Sequence, residues 1–275
     1  MSDSLADRPE PGGKMYHLSI SKGELPNYVL LPGDPGRVDG ICKCLEDPEI
    51  VSSHREYRIA RGRIGDVEIG VCSTGIGGPS TAIALEELAR VGCDTFIRVG
   101  STASLRKGIG CGELIINTAS LGLGGTTKEY VAPEYPANAD YEVTQALIQS
   151  CEENGIAYHV GIAASTDSFY LGQARPGLND FFPSSKEHFI SDLRKCNIMN
   201  FEMEAATLFT LCNIYGLRSG SVCVVYANRE TNAFSPIGQE DAITSAIGAL
   251  SILHVWDKAK NLHSKKHFYP DLLKK

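Results

Sequence analysis

The sequence lacks the features that mark a membrane, secreted or nucleic-acid-binding chain. No apolar run comes near the roughly 20 residues that a membrane-spanning helix needs. The first 14 residues include two prolines and no apolar segment of the secretory kind. The net charge of −7 leaves no excess of basic residues for non-specific binding to nucleic acid. We therefore expect a cytoplasmic protein whose partners include neither nucleic acid nor a membrane.

A cysteine framework is also lacking, although the chain has nine cysteines. They are scattered, and no two of them form a Cys-x-x-Cys pair. Zinc sites and disulfide scaffolds need closely and regularly spaced cysteines. The pattern therefore predicts reduced thiols and no metal site.

What is present is a globular chain of 275 residues in which strand-like and helix-like segments alternate. Strands are predicted over 28–31, 66–74, 95–102, 112–118, 158–165, 197–201 and 221–226. Helices are predicted over 38–45, 141–151, 205–215 and 239–260, with a further helix that ends near residue 90. This alternation is typical of an α/β fold, and we expect a single domain with a mixed, mostly parallel central β-sheet flanked by helices.

We place that domain in residues 15–260. Residues 1–14 are expected to form a flexible N-terminal tail because they are polar. Residues 261–275 are rich in lysine and are expected to form a solvated C-terminal extension.

Arg98 is the least expected residue of the predicted strand over 95–102, which reads T-F-I-R-V-G-S-T. A charge is rarely buried without a partner, because desolvation costs several kcal/mol per ion. The strand ends in Gly100 and Ser101, whose backbone and hydroxyl groups can donate hydrogen bonds. The pattern indicates an anion site, and a structural salt bridge or an edge strand remains open as the alternative.

Other suggestive residues follow strands in the same way, and ligands of open α/β sheets gather at the carboxyl ends of strands. Gly33 and Arg37 follow the first strand, Arg229 follows the last, and a glycine-rich turn at 74–80 precedes a helix. That turn lacks the third glycine of a dinucleotide-binding motif, which argues against NAD and leaves a phosphate or a single nucleoside.

Five motifs, taken together and in order, carry a resemblance to a known family. They are P-G-D-P-G-R at 32–37, C-S-T-G-I-G-G-P-S at 72–80, R-V-G-S at 98–101, F-Y-L-G-Q-A-R at 169–175 and N-F-E-M-E at 200–204. In these motifs, over about 17–260, the chain resembles the nucleoside phosphorylases of the uridine and hexameric purine type. The resemblance implies a nucleoside phosphorylase-like fold and a pentosyltransferase that splits uridine reversibly with phosphate, giving uracil and ribose 1-phosphate. Inorganic phosphate would be a co-substrate, and no cofactor is implied.

The resemblance also implies a role for each matching position. The phosphate-binding set is Gly33, Arg37, Arg55, Arg98 and Ser101. The ribose-binding set is His17, Ser101, Met203 and Glu204. The base-binding set is Phe169, Gln173, Arg175, Glu202 and Arg229. The residues expected to act in catalysis are Arg37, Arg98, Arg175 and Glu204. The family further implies that His17 and Arg55 enter from a neighbouring subunit, in a homo-oligomer that is expected to be a hexamer.

Three other functions stay open at this point. A purine nucleoside phosphorylase of the same fold usually has an aspartate after the strand at 221–226, where this chain reads Y-A-N-R over 226–229. A nucleoside hydrolase lacks the phosphate arginines that are matched here. A catalytically silent paralogue that only binds nucleosides has no distinguishing mark in the sequence.

Overall fold

The computed structural model describes residues 6–274. Within that range the strands are β1 Tyr28–Pro32, β2 Glu46–His54, β3 Tyr57–Ile64, β4 Val67–Cys72, β5 Thr95–Ser104, β6 Leu114–Gly122, β7 Tyr158–Ser165, β8 Ile198–Glu202, β9 Arg218–Asn228 and β10 Ala233–Phe234. The α-helices are α1 Pro35–Cys42, α2 Gly78–Val91, α3 Tyr141–Asn154, α4 Phe189–Lys195, α5 Ala205–Tyr215 and α6 Gln239–Leu262. Residues 1–5 of the predicted N-terminal tail and residue 275 of the predicted extension lie outside the described residues.

The strands join one sheet in the order β10-β9-β6-β7-β8-β5-β1-β4-β3-β2, and β9 also pairs with β5. Strands β5, β8, β7, β6 and β9 therefore close into a ring, while β1 to β4 continue from β5 as an open sheet. Strand β1 is parallel to β4 and to β5, whereas β8 is antiparallel to β5. The predicted α/β class with a mixed sheet is confirmed, and the closed ring is a feature that the sequence did not predict.

Helices cover both faces of the sheet because strand side chains alternate between two apolar layers. On β5, Ile97 and Val99 pack in the layer that includes residues of α1, α3 and α6. Phe96 packs in the layer that includes residues of α2 and α5. Arg98 shares the face of Phe96, so its side chain is directed toward the side where α2 and α5 begin.

Strand β5 is longer than predicted, because it has a partner beyond residue 102. Ala103 and Ser104 pair with Phe201 and Asn200 of the antiparallel strand β8. The residues from Val99 to Ser104 are thus part of the sheet and not a loop, and pairing with neighbouring strands fixes their backbone.

The C-terminal residues pack against the domain through Phe268 and Leu272, so the expectation of a solvated extension is wrong for these two residues. The ring of Phe268 stacks on Trp256 with centroids 3.9 Å apart and planes 5° apart. The backbone N–H of Phe268 donates to Glu142 Oε1 at 2.9 Å, and Leu272 is buried. Among the helices of residues 6–274, none is both long and apolar enough to cross a membrane.

Candidate active site

Arg98 lies in a buried ion cluster between the end of β8 and the start of α5. Its Nε donates to Oε2 of Glu202 at 3.0 Å, and its Nη2 lies 2.6 Å from Oε2 of Glu204. None of the three side chains is more than 7% exposed. The salt bridge that the sequence left open is therefore present, and it lies where the sequence predicted an anion site.

The environment shifts the pKa of two members of this cluster. Burial opposes the charge of Arg98, but the carboxylates, that of Glu204 most of all, outweigh burial and raise the pKa of Arg98. Burial raises the pKa of Glu204 more than the attraction of Arg98 lowers it. Because its charge is poorly solvated, Glu204 gains from every further hydrogen-bond donor, such as a pair of ligand hydroxyls.

The glycine-rich turn after β4 contributes backbone to the same place. The N–H of Gly77 donates to Oε1 of Glu204 at 2.6 Å. Gly77 has φ 92°, a conformation that glycine adopts without steric cost. A Cβ placed on Gly33 would lie 3.3 Å from the carbonyl oxygen of Gly75, so the turns after β1 and β4 touch. The turns after β1 and β4 thus meet near Glu204, whose carboxylate pairs with Arg98 of β5.

Arg37 reaches the same strand from the first turn of α1. Asp34 caps this helix by accepting from the N–H of Gly36 at 2.8 Å. The Nη1 of Arg37 donates to the carbonyl oxygen of Val99 at 2.9 Å, one residue beyond Arg98. The Nε of Arg37 is buried and has no partner among the described residues. Arg37 thus contacts β5 one residue beyond Arg98, and its buried Nε lacks, within residues 6–274, the acceptor that a buried N–H normally has.

Ser101 and Met203, two more of the predicted ribose-binding residues, are both partly exposed. Ser101 lies on β5 opposite Val224 of β9, three residues beyond Arg98. Met203 stands between the two glutamates after β8. Both residues are therefore close in sequence to members of the ion cluster.

Three of the five residues predicted to read a base lie in the loop after β7, and Arg229, which follows β9, contacts that loop to form a second cluster. Gln173 is buried, and its Oε1 accepts from Nη1 of Arg175 at 2.5 Å. The guanidinium of Arg175 lies 4.0 Å from the centroid of the Phe169 ring, which is 51% exposed. Arg229 donates to the carbonyl oxygens of Gln173 and Ala174 at 2.6 and 2.9 Å. The loop thus presents an aromatic ring, an amide and a guanidinium, supported from behind by Arg229.

Two cations lie close together in this second cluster. Burial, followed by repulsion from Arg229, lowers the pKa of Arg175 to about 10. Burial likewise lowers the pKa of Arg229. The pair makes the electrostatic potential positive, which favours a ligand on which negative charge develops.

The two clusters are joined through the end of β8. The N–H of Thr166, at the start of the loop after β7, donates to the carbonyl oxygen of Glu202 at 3.1 Å. The side chain of Glu202 holds Arg98. The distance between the cluster around Arg98 and the loop after β7 is therefore set by paired strands.

His17 and Arg55 lie in a separate group. Nδ1 of His17 is 2.7 Å from Oε1 of Glu87 on α2. Nη2 of Arg55 is 3.5 Å from the hydroxyl of Tyr16. Neither has a contact with Arg98 in the part of the chain that the structure describes. Within residues 6–274 of one chain, these two predicted residues are therefore not part of the cluster around Arg98.

Two polar residues that support the site were not predicted from the sequence. The hydroxyl of Ser165 bonds to Oε1 of Glu202 and accepts from the N–H of Ala206 at 2.8 Å. Nδ2 of Asn228 donates to the carbonyl oxygens of Arg106 and Ile109 at 2.8 and 2.7 Å. Each residue ends a strand, but serine and asparagine are so common at strand ends that this position alone gives no usable signal.

Comparison with known proteins identifies relatives of this chain. A family model described as "Phosphorylase superfamily" matches residues 27–250. The chain is 53% identical over 268 residues to a uridine phosphorylase of Thermococcus kodakarensis, covering 97% of each protein. It is 40% identical over 220 residues to a uridine phosphorylase of Escherichia coli, covering 78% of this chain and 86% of that protein. It is also 38% identical to a guanosine phosphorylase of Halorubrum lacusprofundi, covering 78% and 84%.

Proposed function

This chain belongs to the phosphorylase superfamily, and from that premise we propose that it catalyses the reversible phosphorolysis of uridine to uracil and ribose 1-phosphate. The similarity to uridine phosphorylases over nearly the whole chain supports this choice of substrate. The observation that carries the proposal is that Arg37 bonds to Val99 of β5 while the neighbouring Arg98 pairs with Glu204.

At the anion end, Arg37 and Arg98 bind the phosphate, with Gly33 and Ser101 as further donors. Fixed guanidinium groups bind phosphate through charge-assisted hydrogen bonds. The unpartnered Nε of Arg37 supports this role, because a phosphate oxygen would give it an acceptor.

Between the anion end and the base end, Glu204 accepts from the ribose hydroxyls. Its raised pKa supports this role, because two hydroxyl donors stabilise a carboxylate that burial disfavours. Met203 and Ser101 pack beside the sugar.

At the base end, Gln173 and Arg175 bind the uracil edge while the ring of Phe169 covers it. Arg229 supports the loop through the two carbonyl oxygens that it holds. The base contact predicted for Glu202 stays a prediction, since its described bonds are to protein groups.

In the reaction, a phosphate oxygen forms a bond to C1′ of the ribose as the bond from C1′ to N1 of uracil breaks. The electron pair of the broken bond leaves with uracil, and positive charge builds on the sugar. Phosphate is already an anion, so the step needs no general base and no cofactor. The protein accelerates it by positioning the reactants and by placing Arg175 where the leaving base becomes negative.

We further propose that the active unit is an oligomer, at least a dimer and expected to be a hexamer, in which Arg55 and His17 of a second copy complete the site. The separation of these residues from Arg98 within one chain supports it. A cytoplasmic location fits the nine cysteines, all of them within the described residues and unpaired.

The proposed function is tested by measuring uracil absorbance after adding uridine with and without phosphate. We expect release that requires phosphate. Release without phosphate would identify a hydrolase, and binding of uridine without any release would identify a silent paralogue. Guanosine and inosine are run in parallel, since a preference for them would identify a purine enzyme. Asn228 stands where purine enzymes usually have an aspartate. Its side-chain amide is already bonded to four backbone groups, which argues against a contact with a purine base.

A further inference from the structure

Glu202 is a buried carboxylate whose oxygens are occupied by the protein itself. Its Oε2 accepts from Nε of Arg98 at 3.0 Å and from the backbone N–H groups of Glu204 and Ala205 at 2.8 and 2.7 Å. Its Oε1 bonds to the hydroxyl of Ser165. Three of these donors bond to Oε2 and one bonds to Oε1, so the protein itself holds both oxygens of Glu202 without a ligand.

The direction of the surrounding hydrogen bonds can be worked out. Ser165 has one proton, which it donates to Glu202. In the 2.8 Å contact between Ser165 and Ser120, the donor must therefore be Ser120. The N–H of Ala206 also donates to the oxygen of Ser165. Residues on β6, β7, β8 and α5 thus hold Glu202 in one orientation.

Glu202 in turn fixes two groups that act on different substrates. It holds the Nε side of the guanidinium of Arg98, the proposed phosphate ligand. It also caps the first turn of α5, where Glu204 makes no side-chain cap of its own and is left to face the ribose. A single carboxylate thereby sets the position of Arg98, the proposed phosphate ligand, relative to Glu204, the proposed ribose ligand.

We infer that Glu202 is a positioning residue, which aligns the nucleophile bound by Arg98 with the sugar bound by Glu204. The inference rests on the proposed function and adds to it a role for Glu202 that requires no contact with a substrate. Misplacement of reacting groups by about 1 Å can cost on the order of a hundredfold in rate. The role therefore predicts a loss of turnover without a loss of substrate binding.

The test is Glu202→Gln, which keeps the shape of the side chain and removes its charge. We expect kcat to fall roughly ten- to a hundredfold. The KM for uridine should stay close to that of the wild type. Phosphate should bind at least as tightly, because a nearby negative charge is gone. Phosphate binding is measured by the rise in Tm that inorganic phosphate causes, which does not depend on turnover.

Glu142→Gln is the matched control. Glu142 is another buried carboxylate in a first helical turn, and it pairs with Arg218 and Lys260 far from the site. This variant should lower Tm and leave kcat unchanged at temperatures below the transition.

Ser165→Ala is the second variant, and it decides the question if Glu202→Gln does not fold. It keeps the charge of Glu202 but removes the donor to Oε1, so kcat should fall by a smaller factor with phosphate binding unchanged. The inference is overturned if kcat is unchanged in both variants, or if the loss comes with a raised KM for uridine and an altered base preference. A wild-type protein that binds phosphate but releases no uracil would overturn the proposed function instead.

Discussion

Arg98 makes two ion pairs through different nitrogens of one guanidinium, which a lysine cannot do. A lysine has a single nitrogen in place of the planar fork, so Arg98→Lys would lose the separate donors that now hold Glu202 and Glu204. We expect kcat/KM for phosphate to fall by at least about tenfold, which corresponds to one charge-assisted hydrogen bond. Steady-state kinetics at varied phosphate measure kcat/KM, and a thermal melt measures any change in stability separately.

Arg63→Lys is the control for this substitution. Arg63 also contacts two carboxylates, Glu46 and Asp47, but it is 47% exposed and lies on β3 away from the site. Its replacement should leave the kinetics unchanged. An Arg98→Lys variant with wild-type kinetics would show that the fork geometry of Arg98 does not matter.

We expect Gln173 to limit which bases can be accepted, because one arginine holds its side chain and another holds its backbone. Arg175 bonds to its side chain and Arg229 to its carbonyl oxygen. In Gln173→Ala the side-chain amide proposed to bind the uracil edge is gone, while Arg175 and Arg229 remain. We expect kcat/KM for uridine to fall roughly ten- to a hundredfold and discrimination against other nucleosides to relax. The ratio of kcat/KM for uridine to that for inosine measures this, and an unchanged ratio would count against the assignment.

At the scale of elements, helix α6 is joined to the sheet by a charged cluster around Asp257. Tyr28 and Arg218 donate to its carboxylate at 2.6 and 2.7 Å, and Lys260 lies 2.8 Å from it. Burial alone would raise the pKa of Asp257, but bonds from Arg218, Lys260 and Tyr28 lower it to about 2. The folded pKa thus lies below the ordinary value of 3.8, so this stabilisation is complete above about pH 4 and is lost as the pH falls through about 2.

We therefore expect Asp257→Asn to lower Tm at pH 7. The difference in Tm from the wild type should shrink as the pH falls from about 4 to about 2, because the wild type loses the same charge there. Thermal melts across this pH range measure the effect. Asp271→Asn, at a carboxylate that is 71% exposed, is the control and should have almost no effect. A constant difference in Tm at every pH would contradict the assignment.

At the scale of the whole molecule, the proposed site needs two copies of the chain. Arg55 of one copy would complete a site that holds Arg37 of the other, so Arg37→Ala and Arg55→Ala should each be nearly inactive. When the two variants are co-expressed, half of the random dimers are mixed and each mixed dimer has one intact site. We therefore expect the activity to return to roughly a quarter of the wild-type value.

Arg37→Ala co-expressed with Glu204→Gln is the control for this experiment. The Arg37 and the Glu204 of any one site come from the same copy of the chain. Every site in a mixed dimer therefore keeps one defect, and activity should stay low. Sedimentation of the wild type should show a dimer or larger. An active monomer, or no recovery in the first mixture, would contradict the shared site.

The sequence by itself determined the local structure and the chemistry at the ends of the strands. Alternating apolar patterns predicted the α/β class, because burial of one face fixes the period of a strand or a helix. The buried charge of Arg98 and the glycines after β1 and β4 indicated an anion site. These signals depend only on neighbours along the chain.

Only the tertiary structure decided how these residues pair. The ring closed by β5 and β9, the bond from Ser165 to Glu202 and the packing of Phe268 on Trp256 join residues far apart in sequence. Such contacts depend on strand order and register, which no local pattern specifies. The same reason explains why the sequence could indicate an anion near Arg98 but could not show that Glu202 and Glu204 share its guanidinium.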